Sequence, residues 1–227
     1  MSLDWTSIIR RHGVTAALDV GANIGGFLET WMELGAREVV AVEPVPECFQ
    51  MLVQRFGSDP RVRAFQIGVS DVPGKLDGLN VHNCWTLLPD LKNGGTPTDH
   101  GVGRALEFVG KPSFAVEFTT IDQLLDRLHF APDFIKIDVD GYDAKALRGA
   151  HVYLAARHPL VMLEISYLPK LLGDDCEAMI RGIFDLGYRI VSVVTGAVFD
   201  DVGSFMKIYP WHTSFDVLLL PPGFDLQ

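Results

Sequence analysis

Acids and glycines recur where apolar runs of the chain end, and their spacing suggests a ligand site. Asp19-Val-Gly-Ala-Asn-Ile-Gly-Gly26 follows the run Ala17–Val20 and precedes a helical pattern, the context a nucleotide-binding turn requires. Gly21 permits a tight turn and close approach by a ligand, and Gly25 and Gly26 let a helix start press against whatever lies above the strand ends. Asn23 stands where a dinucleotide fingerprint has its middle glycine, the residue that lets backbone approach a pyrophosphate. This favours a nucleotide-like ligand without a pyrophosphate, such as S-adenosylmethionine. Asp19 can accept a hydrogen bond from a cationic amino group. Glu43-Pro44 ends the next apolar run, roughly 20 residues on, where an acid can accept bonds from both ribose hydroxyls.

Two further segments fall at strand ends. Gln66-Ile-Gly-Val-Ser-Asp71 is either a base-reading edge, through the backbone around Gly68 and Val69, or a plain turn. Phe134-Ile-Lys-Ile-Asp-Val-Asp-Gly-Tyr-Asp143 crowds Asp138, Asp140 and Asp143 together. Clustered carboxylates raise one another's pKa and suit a general base or a hard cation. Asp143 reads better as a cap of the following helix. Asp138 falls within an apolar run and needs a partner if buried; Lys136, on the same strand face, is one candidate. Glu164, in Leu163-Glu-Ile-Ser166, is either an anchor for a substrate hydroxyl or metal, or a solvent-facing strand end. No metal ligand set is assigned.

These residues need strands and helices to hold them. Apolar runs at Ala17–Val20, Glu38–Val42, Val62–Ile67, Phe134–Val139, Leu160–Ile165, Tyr188–Val194 and Phe215–Leu220 read as strands, and their continuous apolarity suits a sheet covered on both faces. Helices are predicted at Phe27–Leu34, at Pro46–Phe56 with proline near its start, from the capping box Thr120-Ile-Asp-Gln123 to about Leu128, from Asp143 to about Ala156, and at Glu177–Leu186. Between about 73 and 115 the rhythm breaks, which predicts an insertion or lid within a single domain spanning 1–227. Its Trp85, Leu87, Leu88 and Phe108 suit an apolar cover. The last two strands are separated by a loop instead of a clear helix, which predicts a final antiparallel pair and argues against a plain dinucleotide-binding sheet.

Bulk composition narrows the classes. A net charge of −10 argues against a broadly basic nucleic-acid footprint. No apolar run approaches the ~20 residues needed to cross a bilayer. The opening MSLDWTSIIRRHG reads as a short amphipathic helix and not a signal peptide. Three scattered cysteines without a CxxC pair fit a reducing, cytoplasmic setting. Aromatics near Tyr209-Pro-Trp211 offer a surface for self-association.

The ordered set Asp-Val-Gly-Ala-Asn-Ile-Gly, Val-Glu-Pro, Ile-Lys-Ile-Asp-Val-Asp-Gly and Leu-Glu-Ile resembles the FkbM-type methyltransferases, over about 16–166. The resemblance implies an α/β, doubly wound, class I methyltransferase-like seven-stranded sheet with its last strand antiparallel. It implies methyl transfer from S-adenosylmethionine, usually to a hydroxyl oxygen of a sugar, polyketide or other secondary metabolite. The partner expected is thus a small-molecule or glycan acceptor. By matching positions, Asp19, Gly21, Asn23, Gly25 and Glu43 would bind the cofactor, and Asp138 would lie beside the methyl donor; Pro44, Gly68 and Val69 complete the expected cofactor set. The family commonly has Asp-Val-Glu-Gly-Ala-Glu where this chain has Asp-Val-Asp-Gly-Tyr-Asp. Both later acids are one methylene shorter, and Tyr142 replaces a small residue. A hydroxyl acceptor must lose its proton near the transition state. Asp138 leads as base, ahead of Asp140 and of His82 and His100 in the insertion. Two rivals are an NAD-dependent oxidoreductase and a catalytically silent nucleotide- or glycan-binding module of the same fold.

Overall fold

A computed structural model describes residues 3–82, 86–89, 114–210 and 213–226. Five parallel strands lie side by side: β1 (Ala16–Val20), β2 (Glu38–Val42) and β3 (Val62–Phe65) to one side and, across β1 from β2, Phe134–Ile137 and then Leu160–Ser166. Numbered in chain order, the remaining strands are β4 (Gly68–Val69), β5 (Gly74–His82), β6 (Thr86–Pro89), β7 (Phe114–Thr119), β8 (the central Phe134–Ile137), β9 (Leu160–Ser166), β10 (Arg189–Ser192), β11 (Val198–Phe199) and β12 (Ser214–Leu220). The main sheet runs β11-β10-β12-β9-β8-β1-β2-β3, with β12 antiparallel to both of its neighbours. This is the doubly wound sheet with a reversed last strand expected from the sequence, extended by the two-residue edge strand β11.

Strand alternation sorts the core into two layers. On one face Ala17, Val39, Phe134, Leu160 and Leu218 pack against helices α1 (Trp5–His12), α2 (Gly26–Glu33) and α3 (Pro46–Phe56). On the other, Leu18, Val40, Ile135, Val161 and Leu219 pack against α4 (Ile121–Leu128), α5 (Asp143–Arg148), α6 (His151–Arg157), α8 (Cys176–Asp185) and α9 (Val202–Met206). A short α7 (Leu168–Leu171) follows β9. Thr120 caps α4 as its capping box predicts: its hydroxyl accepts the Gln123 N–H at 3.1 Å.

Three expectations need correction. The single helix from Asp143 to about Ala156 is two, α5 and α6, parted at Gly149 and Ala150; a Cβ at Gly149 would overlap the Ser70 carbonyl oxygen, so only glycine fits there. The loop between the last two strands contains β11 and α9. The span 73–115 includes β5, β6 and the start of β7, which join β4 in a second sheet of order β4-β7-β5-β6. In β7, where the sequence shows regular order resuming at Val116–Phe118, buried Val116 and Phe118 alternate with exposed Glu117. The side chains of Leu87 and Leu88 and the residues Trp85, His100, Phe108 and Trp211 lie outside the described residues. Among those described, no helix is long and apolar enough to cross a membrane.

Candidate active site

The carboxyl ends of β1, β2 and β8 and the strand β4 open on a cleft of about 440 Å³. Gly21 turns the chain out of β1 at φ +82°, and a Cβ there would overlap the Asp138 carbonyl oxygen. The close approach inferred from sequence is thus made by the protein's own backbone as well as any ligand. Asn23 follows at φ +53°, where its side chain accepts the Ile24 N–H at 2.6 Å. Asparagine tolerates this left-handed region better than most residues. Gly25 differs from expectation: it is not a lining residue of the cleft, and a Cβ there would meet Phe56 at 2.5 Å and Leu52 at 2.8 Å. Its lack of a side chain lets α3 close against the turn.

Glu43 ties the turn to the next strand. One carboxylate oxygen accepts the Asn23 N–H and the other the Val45 N–H, both at 2.8 Å. The group is 5% exposed, and burial pushes its pKa up to about 7 against the pull of those two donors. Asp19 is 1% exposed; its Oδ2 accepts from the Trp31 indole at 3.4 Å, while Oδ1 has no partner. A buried carboxylate oxygen without a donor is costly, and this one belongs to a cleft-lining residue. A ligand ammonium fits it. Pro44, Gly68 and Val69 also line the cleft. Gly68 must lack a side chain because Phe118 of β7 would stand 2.6 Å from its Cβ, so the second sheet supplies the wall on this edge. Phe118 stacks on Tyr142, centroids 5.4 Å apart and 20° between planes, and both line the cleft.

Beyond β8 the chain turns through Asp138, Val139, Asp140 and Gly141. Asp143 is fully buried, and its carboxylate accepts the Val139 N–H at 3.1 Å and the Gly141 N–H at 3.0 Å. It pins the preceding turn, a role different from the helix cap expected. Held this way, Asp140 adopts φ +46° and lines the cleft. Burial and the Asp138 charge push its pKa up to about 6. Asp138 also lines the cleft, but Lys136 occupies it with an ion pair of 2.7 Å. Glu164 has one buried oxygen without a partner, and burial and the Asp138 charge push it up to about 8. Among the described residues no cluster of histidine, cysteine and acidic side chains has the makings of a metal site. His82 ends β5, and its side chain lies outside the described set.

Several participants were not singled out in the sequence. Phe27 and Ile24 line the cleft, and Trp31 touches Asp19. Asp216 sits opposite Glu164 in the β9–β12 ladder. Asp216 had a signal, being the lone acid in an apolar strand run. The others are apolar residues of a helix and turn and carry no chemical mark of their own.

The model of the methyltransferase FkbM domain matches residues 19–190. The crystal structure of an FkbM methyltransferase from Methylobacillus flagellatus superposes with a TM-score of 0.54 at 18% identity, covering 90% of this chain. This chain spans 43% of that protein's length. Fibrillarin from Aeropyrum pernix, solved with natively bound S-adenosyl-L-methionine, gives 0.47 at 12% identity, with 92% of this chain and 66% of that one covered. The N-methyltransferase NodS from Bradyrhizobium japonicum gives 0.45 at 10%, with 96% and 95% covered. No curated protein is significantly similar to the chain.

Proposed function

The chain belongs to the FkbM methyltransferase family, and on that premise we propose that it transfers a methyl group from S-adenosylmethionine to a hydroxyl oxygen of a sugar, glycan or secondary metabolite. The observation that carries the cofactor assignment is the buried, unpartnered Oδ1 of Asp19 in the cleft wall. A cofactor with an amino group satisfies it. Glu43 keeps lone pairs free beside its two backbone donors and can accept the ribose hydroxyls. The Phe118–Tyr142 wall and the backbone of Gly68 and Val69 offer an apolar slot for the adenine.

When bound, the cofactor supplies an already activated methyl on a sulfonium. The protein's task is then to orient the acceptor, exclude water and take its proton. Asp140 is the better base of the two acids on this turn. Its pKa is raised to about 6, and among the described residues no basic side chain forms an ion pair with it, whereas Asp138 is held by Lys136.

Calorimetric titration with S-adenosylhomocysteine tests the cofactor, with NAD as the comparison. Incubation with methyl-labelled S-adenosylmethionine and a panel of sugar and polyol acceptors, read by mass spectrometry of the product ether, tests the acceptor. Binding of NAD without any response to S-adenosylhomocysteine would overturn the proposal. Label appearing on nitrogen would overturn the hydroxyl assignment.

A further inference from the structure

Lys136 is a charged side chain only 3% exposed, in the middle strand of the sheet. Burying an unpaired ammonium is expensive, so its surroundings must account for it. It stands directly opposite Asp19 in the β1–β8 ladder and opposite Met162 in the β8–β9 ladder. Neighbours in register project to the same face. Its Nζ donates to Asp138 Oδ2 at 2.7 Å and lies 4.6 Å from the centroid of the Phe27 ring. Among the described residues it is the one cation lining the cleft. The acids that act on this end of the sheet are Asp19 from β1, Glu43 after β2, Asp138 and Asp140 after β8, Asp143 from α5, Glu164 from β9 and Asp216 from β12.

We propose that Lys136 is a positioning residue that acts on the cofactor through Asp19, holding Asp19 and Asp138 together as charged groups so that the free oxygen of Asp19 can receive a ligand cation. The inference rests on the cofactor assignment above for its purpose, but not for its test. Without the ammonium, the buried carboxylate of Asp19 and the half-buried one of Asp138 would face each other at this strand end with no cation between them. Burial already raises the pKa of Asp19, Asp138 adds to this, and the Lys136 charge opposes both. A protonated Asp19 would be neutral and would lose the charge attraction for the ammonium it should bind.

The Trp31 indole N–H donates to Asp19 Oδ2, so its proton and nitrogen NMR resonances report the charge of Asp19 without any ligand. In Lys136→Met the midpoint of that titration should move up by about one pH unit or more, the size of effect expected from removing an opposite charge at this range. Lys136→Arg should keep the midpoint near that of the wild type. Asp138→Asn, which leaves the ammonium to Asp19 alone, should move it down. The lowest pH at which S-adenosylhomocysteine binds should shift in the same directions. An unmoved indole titration in Lys136→Met overturns the proposal. So does an unmoved or upward one in Asp138→Asn, which decides the matter if the methionine variant does not fold. If the wild type fails to bind S-adenosylhomocysteine but the indole midpoints shift as stated, the electrostatic role stands and the cofactor assignment falls.

Discussion

Replacing Glu43 by alanine separates what this residue does for the fold from what it does for a ligand. In the ligand-free protein its carboxylate accepts two backbone N–H bonds, and bonds to a charged acceptor are worth about 1.5–3 kcal/mol each. Against this stands the cost of keeping the group charged while buried. A rise from 4.5 to about 7 corresponds to about 3 kcal/mol. That rise is what remains after the two bonds have pulled the value down, and water entering from the cleft can serve the two N–H groups in the variant. Stability of the ligand-free protein should therefore fall by no more than about 3 kcal/mol. Ligand affinity should suffer separately, because the ribose loses its acceptors: about 1–3 kcal/mol, or roughly 5- to 150-fold in Kd. Thermal unfolding of the ligand-free variant and calorimetry with S-adenosylhomocysteine measure the two effects. An unchanged Kd in a folded Glu43→Ala protein would refute the ribose assignment. The volume-conserving Glu43→Gln, which still offers one acceptor, should fall between.

Three other changes are informative. Gly21→Ala puts a Cβ into the Asp138 carbonyl at a left-handed φ, so it should cost about 2 kcal/mol or more and abolish S-adenosylhomocysteine binding; a fully stable, binding-competent variant contradicts the observed turn. Asp140→Asn should slow transfer to any accepted hydroxyl by about 10²- to 10⁴-fold while leaving S-adenosylhomocysteine affinity within about threefold; equal losses in rate and affinity would assign it to cofactor binding instead. Glu43, Asp140, Asp143 and Glu164 all have pKa values raised by burial, to between about 6 and 8. A raised acid contributes stability that is complete below its ordinary value and is lost as pH rises through the folded one. The unfolding temperature of the ligand-free protein should thus decline from pH 5 to pH 8, and a flat or rising profile counts against the excess of buried acid.

The parts of this molecule legible in the sequence are those fixed by residue type over short spans. The Asp19–Gly26 turn, Glu43 at the next strand end and the capped α4 each combine a local pattern with one chemical requirement. A sheet covered on both faces followed from the strands' apolarity, and its reversed last strand from the missing last crossover. Less legible were features decided by register. That Lys136 faces Asp19 depends on how β8 slides against β1, and no local pattern encodes this. The need for glycine at 149, where the helix breaks, comes from a carbonyl of Ser70 far away in the chain. Glycine was a visible signal there, but an isolated glycine within a helical pattern is often tolerated. Asp138 looked the natural base because of its position, and its partner made Asp140 the stronger candidate.

The second sheet reaches the cleft through the short β4–β7 ladder, Gly68 beside Phe118 and Val69 beside Thr119. Backbone bonds close that ladder and are indifferent to what the chain does elsewhere. Two residue pairs thus make the ladder that joins the second sheet to this edge of the cleft, so a bulkier residue at Gly68 would push Phe118 and shift the wall itself.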